Sequence, residues 1–97
     1  MKVKEISRNA YIIRDFEKHV VILQSYDSKV AVVKYEEQRT VVTLGKHWDY
    51  SVTTLKHVHK FLEEFAPNVE MNIKRTKKNA IEEQIKLGNI IYDKKMV

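Results

Sequence analysis

The sequence predicts an α+β domain in which an antiparallel meander of three to five strands packs against one amphipathic helix. Runs of β-branched and aromatic residues recur between residues 10 and 45. Polar turn residues separate them at intervals of roughly 8–12 positions, which is typical of an antiparallel sheet. After residue 51 the apolar residues follow a spacing of three and four, which indicates a helix. A short second helix is predicted to follow it.

The predicted sheet spans about residues 3–45. Residues 10–14 and 19–26 are rich in β-formers and favour a hairpin, but residues 7–18 also fit a helical stripe, so both alternatives remain open. Further strands are predicted at 30–35 and 40–44. Polar residues at 27–28 and 36–39 supply the turns, because residues such as Asp tolerate turn geometry.

The main helix is predicted at about residues 52–66, because the apolar side chains there occupy one half of a helical wheel. These side chains are Val52, Leu55, Val58, Phe61, Leu62, Phe65 and Ala66. Lys56, His57 and Lys60 fall on the other half and are predicted to face solvent. A hydroxyl residue at 51 or 53 can cap the start, and Pro67 prevents continuation.

A second helix is predicted at about residues 77–87. Thr76 can cap its start, and Gly88 can end it in the left-handed conformation. Residues 90–92 can add a last short strand, and the tail 93–97 is predicted to be frayed. Together these elements make residues 1–97 a single domain.

Two of the predicted strands are apolar on both faces. Residues 20–23 and 30–33 are uninterrupted aliphatic runs, and strands of that kind are usually covered on both sides. The main helix can cover one face. The C-terminal helix, the N-terminal segment or a second copy of the chain must cover the other, which makes a homodimer possible.

The composition excludes several classes of protein. The 97 residues suit one domain, and 43% hydrophobic with 32% charged residues argues against wholesale disorder. The absence of cysteine excludes disulfides and thiol chemistry, and two glycines leave no phosphate loop. The longest aliphatic runs have four residues and the N-terminus lacks an apolar signal region, so a cytoplasmic protein without a membrane partner is expected.

No catalytic or metal motif emerges from the sequence. His57 and His59 would point about 200° apart on a helix, so they do not predict a metal site. The serines lack the patterns of an activated nucleophile, and the paired glutamates are adjacent residues whose side chains diverge. We therefore expect neither an enzyme nor a cofactor.

Binding is the remaining class of function, and a net charge of +5 favours anionic partners. The densest basic run is Lys74-Arg75-Thr76-Lys77-Lys78, at the start of the second helix, where phosphate groups are also favoured. The structural alternative is that Lys78 pairs with Glu82 and the rest is solvated. Exposed aromatic residues could stack on unpaired bases, or could simply pack; they are Tyr11, Tyr26, Tyr35, Trp48 and Tyr50.

Two motifs resemble those of a known family. The motifs are Ser-Tyr-x-(Thr/Ser)-x-Val-Ala at residues 25–31 and Tyr-Ser-x-Thr-Thr-x-Lys-His-(hydrophobic)-x-x-Phe-Leu at residues 50–62. They are similar to a family of unknown function found in small proteins from bacteriophages and mobile elements of Gram-positive bacteria. The likeness covers about residues 9–66. It implies a phage-type protein in the cytoplasm of a bacterial host and supplies no activity.

The expected function is that of a small non-enzymatic accessory protein that binds a macromolecule. The first hypothesis is nucleic-acid binding through a basic surface; its residues are Lys56, His57, Lys60, Lys74, Arg75, Lys77 and Lys78. The alternative is a stoichiometric protein-binding inhibitor of a host or anti-phage defence component, such as a nuclease effector.

Overall fold

The structure is a computed structural model that describes residues 2–96. Within these residues the chain forms one sheet with the strand order β1-β2-β3-β4-β5-β6, and two helices. The elements are β1 (Lys2–Ser7), β2 (Ala10–Asp15), β3 (Val20–Ser25), β4 (Ser28–Tyr35), β5 (Thr40–Gly45), α1 (Val52–Phe65), α2 (Lys77–Lys86) and β6 (Ile91–Asp93).

The α+β class is confirmed, but the predicted strand number and topology need correction. The described sheet has six strands rather than three to five, and it is a meander only as far as β5. β6 pairs with β5 in the parallel direction. A parallel pair needs a crossover connection, and the whole segment with α1 and α2 supplies it. Local patterns in the sequence do not indicate the pairing of β6 with β5, because the two strands are distant in the chain.

The N-terminal part of the sheet resolves the alternative between hairpin and helix in favour of the hairpin. In β2, Ile12 pairs with Leu23 and Ile13 pairs with Ile22. Adjacent residues of a strand point to opposite faces of the sheet, so the side chains of Ile12 and Ile13 lie on different faces. The turn between the strands is held by Asp15, whose carboxylate accepts hydrogen bonds from two backbone N–H groups at 3.1 and 3.3 Å.

One face of the sheet carries both helices and the hydrophobic core. α1 lies over β3 and β4, and α2 packs against α1. Buried side chains from the inner face meet those of the helices in one cluster that includes Leu23, Val33, Leu44, Phe61 and Ile81. Both helices begin where the sequence predicts and end one residue earlier than predicted, at 65 and 86. Their caps are hydroxyl groups that accept from backbone N–H groups at 3.1 and 3.2 Å.

The opposite face of the sheet, called here the outer face, has no helix packed on it among the described residues. The strand register places one row of side chains directly across all six strands of this face. The row consists of Val3, Ile13, Ile22, Val32, Thr43 and Ile91. These side chains are half-buried or exposed. The C-terminal helix lies on the other side and the N-terminal segment forms edge strand β1, so neither covers the outer face.

The C-terminal tail continues from β6. The tail predicted to be frayed over 93–97 begins inside this strand, where Asp93 pairs with Gly45. The carbonyl of Met96 accepts a hydrogen bond from the Lys46 N–H at 3.3 Å, and Val97 lies outside the described residues. Neither helix in the described part of the chain has the length and apolar character required to cross a membrane.

Candidate functional site

A cleft of about 600 Å³ lies where the β3–β4 turn meets the start of α1. The two sequence motifs, at 25–31 and 50–62, supply most of its walls, although they are far apart in the chain. Hydroxyl side chains dominate the lining, including those of Ser28, Ser51 and Thr53, and two tyrosines join them. Among the described residues, no lysine or arginine lines the cleft.

Tyr26 stands at one side of the cleft in an uncommon backbone conformation. Its φ of 55° lies in the left-handed region, which is unfavourable for a bulky residue. Hydrogen bonds hold the turn in place: the Tyr26 N–H donates to the Asn9 carbonyl at 2.7 Å, and its own carbonyl accepts from the Gln24 amide at 3.1 Å. The side chain remains 45% exposed. The ring therefore lies at a hairpin turn, partly exposed to solvent beside the cleft. Asn9 and His19 have a similar positive φ in the other two hairpin turns before it.

Tyr50 stands at the other side of the cleft and is 73% exposed. Its ring meets the imidazole of His47 edge-on, with ring centroids 6.0 Å apart and planes at 88°. The Tyr50 N–H donates to the His47 carbonyl at 3.1 Å. The Tyr50 ring is therefore accessible beside the cleft, whereas neighbouring Trp48 is buried in the core and unavailable to a partner.

The prediction that His57 faces solvent is wrong, because its side chain is only 4% exposed. His57 lies on the flank of α1 that packs close to the end of β3, and the Ser25 hydroxyl there lies 3.0 Å from His57 Nδ1. A suitable partner thus allows a polar residue at the border of the apolar stripe to be buried. Burial lowers the pKa of His57 below its usual range, and the positive charge of Lys60 lowers it further.

The Ser25–His57 pair has the separation of a nucleophile and its base. However, Ser25 is only 3% exposed, which restricts the approach of a substrate to its hydroxyl. Within residues 2–96, no hydrogen bond joins a carboxylate to His57, and no group of three or more His, Asp or Glu side chains could hold a metal ion. The arrangement is suited to fastening α1 to the sheet.

The basic run at the start of α2 is exposed, and two of its four cations are paired. Arg75 forms an ion pair with Glu83. Lys78 contacts Asp49 at 3.5 Å, in the loop before α1, rather than Glu82 as the structural alternative supposed. Lys74 and Lys77 have no ion pair among the described residues.

The fold brings part of the main helix to this basic run. His59 Nε2 lies 3.1 Å from the Lys77 carbonyl, so the exposed side of α1 meets the start of α2. Lys56 lies one helical turn before His59 and is exposed on the same side. We call this surface the basic junction; it comprises Lys56, Lys74, Arg75, Lys77 and Lys78. Lys60 is exposed one helical turn after Lys56, but no described hydrogen bond or ion pair joins it to the start of α2.

The sequence predicts the cations of the basic junction as candidate binding residues, but it does not predict the cleft. The cleft depends on residues 25–28 approaching residues 47–54, and that approach follows from the path of the chain between β3 and α1. One signal was present in the sequence: hydroxyl residues are concentrated in both motifs, more than helix capping alone requires.

A family model described as "Family of unknown function (DUF8033)" matches residues 1–84, and the chain belongs to this family. The matched range is wider than 9–66 and includes the basic run at 74–78. No curated protein and no solved structure matches the chain significantly.

Proposed function

We propose that this DUF8033 member is a non-enzymatic binding protein whose partner is nucleic acid, held through the basic junction. The observation that carries the proposal is the contact between His59 and the Lys77 carbonyl at 3.1 Å. This contact places the basic run at the start of α2 beside the flank of α1, one helical turn after Lys56. A surface of that kind can contact several phosphates of one strand together.

The electrostatics of α2 support this partner. Lysines occupy its first turn and no acidic residue does, although the positive end of a helix dipole favours negative charge. Each cation there costs about 0.3–1 kcal/mol near the first turn. A bound phosphate would reverse this unfavourable arrangement, because it would accept charge-assisted hydrogen bonds from Lys74 and Lys77.

The absence of enzymatic activity belongs to the same proposal. The Ser25–His57 pair is the arrangement in the described chain that most resembles a nucleophile and its base. Its serine is buried, which supports a non-enzymatic role. An origin in a phage or mobile element of a Gram-positive bacterium, and action in the bacterial cytoplasm, are also proposed. They rest on the two motifs at 25–31 and 50–62.

The proposal is tested with two double variants of equal net charge. Lys74→Gln with Lys77→Gln removes the unpaired cations of the basic junction, whereas Lys94→Gln with Lys95→Gln removes two exposed cations from the tail. Binding to labelled 20-nucleotide single-stranded and duplex DNA is measured by fluorescence anisotropy. We expect the first variant to lose at least tenfold in affinity for both forms and the second to remain near wild type. Equal losses in both variants would contradict a defined site.

A protein partner is the second candidate, and the outer face of the sheet favours it. A stoichiometric inhibitor of a host or anti-phage defence component, such as a nuclease effector, would bury an apolar surface of this kind. Such a complex would survive nuclease treatment and respond little to salt. Retention of one lysate protein after nuclease treatment, with no binding to either oligonucleotide, would favour this candidate over nucleic acid.

We also propose that a second copy of the chain covers the outer face in the free protein; under the second candidate, the protein partner would take its place. Six strands spaced about 4.8 Å apart and about six residues long give a footprint of roughly 500–600 Å² on each copy. A pair would bury at least about 1,000–1,200 Å², at the lower limit of stable interfaces. The apolar row from Val3 to Ile91 runs through the middle of this footprint, so the expected homodimer is reversible and depends on concentration.

A further inference from the structure

We infer that the cleft between the β3–β4 turn and α1 receives an unpaired nucleobase, so that the protein prefers single-stranded over duplex nucleic acid. This inference rests on the proposed function and adds the form of nucleic acid that the protein selects. Four observations support it: the position of the cleft, its size and lining, the backbone conformation of Tyr26, and the exposed ring of Tyr50.

The cleft adjoins the basic junction. Lys78 of the junction contacts Asp49 at 3.5 Å, and the next two residues of the chain, Tyr50 and Ser51, line the cleft. On α1, Thr53 of the lining lies one helical turn before Lys56 of the junction. A strand whose phosphates contact the junction therefore passes the cleft with its bases within reach.

The size and lining of the cleft suit a base rather than a phosphate. About 600 Å³ lies within the usual range of small-ligand pockets, which is roughly 300–1,000 Å³. The described lining has no lysine or arginine to neutralise a phosphate. Ser25 is paired with His57 and Ser51 caps α1. Ser28 and Thr53 therefore supply the free hydroxyls of the described lining. These can donate and accept hydrogen bonds, and the Asp27 carboxylate can accept them, as the edge of an unpaired base requires.

The backbone at Tyr26 supports a role in binding. Glycine or asparagine would adopt a φ of 55° at lower cost, so folding alone does not favour a tyrosine there. Strained residues of this kind cluster at binding sites, where the position of the side chain matters more than stability. The Tyr26 ring is partly exposed and lies at the edge of the cleft.

Tyr50 provides a second aromatic surface, which is 73% exposed and meets the His47 ring edge-on. Its exposure leaves the ring accessible to a stacking base. Stacking of this kind tolerates any base, because every base has an aromatic face. Bases inside a duplex are already stacked and paired, so only a single strand, loop or end can supply one to the cleft.

The experiment compares Tyr50→Ala and Tyr26→Asn with the control Phe16→Ala. Phe16 is also an exposed aromatic residue, but it lies in the β2–β3 turn, at the opposite end of β3 from Tyr26. The probes are a labelled 20-nucleotide oligothymidylate and a labelled DNA hairpin of equal phosphate number. We expect each tyrosine variant to lose between about 5-fold and about 150-fold in affinity for oligothymidylate. The affinity for the hairpin should stay unchanged.

Thermal melting separates lost binding from lost folding. Tyr26→Asn relieves the backbone strain, so its melting temperature should equal or exceed that of the wild type while its affinity for oligothymidylate falls. Equal affinity of the two tyrosine variants and Phe16→Ala for oligothymidylate would overturn the inference. If the Lys74→Gln, Lys77→Gln variant then still lost affinity for both probes, the proposed function would stand without this inference. Failure of the wild type to bind either probe would overturn both.

Discussion

The inner and outer faces of the central strands carry similar aliphatic side chains but have opposite surroundings. In β3, Leu23 points inward and is fully buried under α1, whereas its neighbour Ile22 points outward and is only half-buried. The difference arises from the connections rather than from the strands themselves. Both helices lie in the single crossover between β5 and β6, and that crossover passes over one face. An apolar strand thus predicts that cover is needed, but not which element provides it.

The largest expected effect comes from truncating neighbouring side chains on the two faces. Leu23→Ala leaves a cavity in the core and should lower the free energy of unfolding by about 2–5 kcal/mol. Ile22→Ala removes a half-buried side chain from the outer face and should cost about 1 kcal/mol at protein concentrations that favour the monomer. Urea denaturation measures both values. Similar losses for the two variants would indicate that the outer face is covered within the monomer.

The next effect concerns self-association through the outer face. Ile22→Lys places a charge in the middle of the apolar row, and burying that charge unpaired in a dimer is unfavourable. We expect sedimentation equilibrium to give a dimer for the wild type and at least a tenfold weaker dimer for this variant. Gln38→Lys adds the same charge in the exposed turn after β4 and should leave the dimer intact. A wild type that stays monomeric at high micromolar concentration would disprove this use of the face.

The smallest expected effect is a pH dependence of folding stability, which arises from His57 between α1 and the inner face of the sheet. Because burial lowers the pKa of His57 in the folded state, the unfolded chain binds a proton there at higher pH than the folded chain does. The contribution of neutral His57 to the free energy of unfolding is therefore complete above about pH 6.5, the pKa of histidine in the unfolded chain. This contribution is lost as the pH falls toward the lower pKa of His57 in the folded chain.

His57→Gln isolates this dependence from the other titrating groups. The difference in unfolding free energy between wild type and variant should decline as the pH falls below about 6.5. Its slope should stay below about 1.4 kcal/mol per pH unit, the limit for one proton. Urea denaturation at several pH values gives this difference. A constant difference between pH 5 and pH 8 would contradict the pKa direction assigned to His57.

These contrasts explain which features the sequence could predict. The bounds of α1 follow from its amphipathic spacing and from the residues at each end, which act locally. The apolar residues at 90–92 indicate a short last strand, but its parallel pairing with β5 across the whole helical segment has no local pattern. His57 lies at the border of the apolar stripe, and its burial depends on Ser25, which is 32 positions away in the sequence. The cleft could not be predicted for the same reason, because its walls are distant in the sequence and meet only in the folded chain.

The central claim is that phosphates bind at the basic junction, and salt dependence tests it most directly. The measurement is the slope of log affinity against log salt concentration for the wild type and for the Lys74→Gln, Lys77→Gln variant on one oligonucleotide. Each phosphate contact contributes roughly −0.7 to the slope for a single strand. We predict a negative slope for the wild type, less steep by roughly 1–1.5 in the double variant. A wild-type slope near zero, or the same slope in both proteins, would contradict the account.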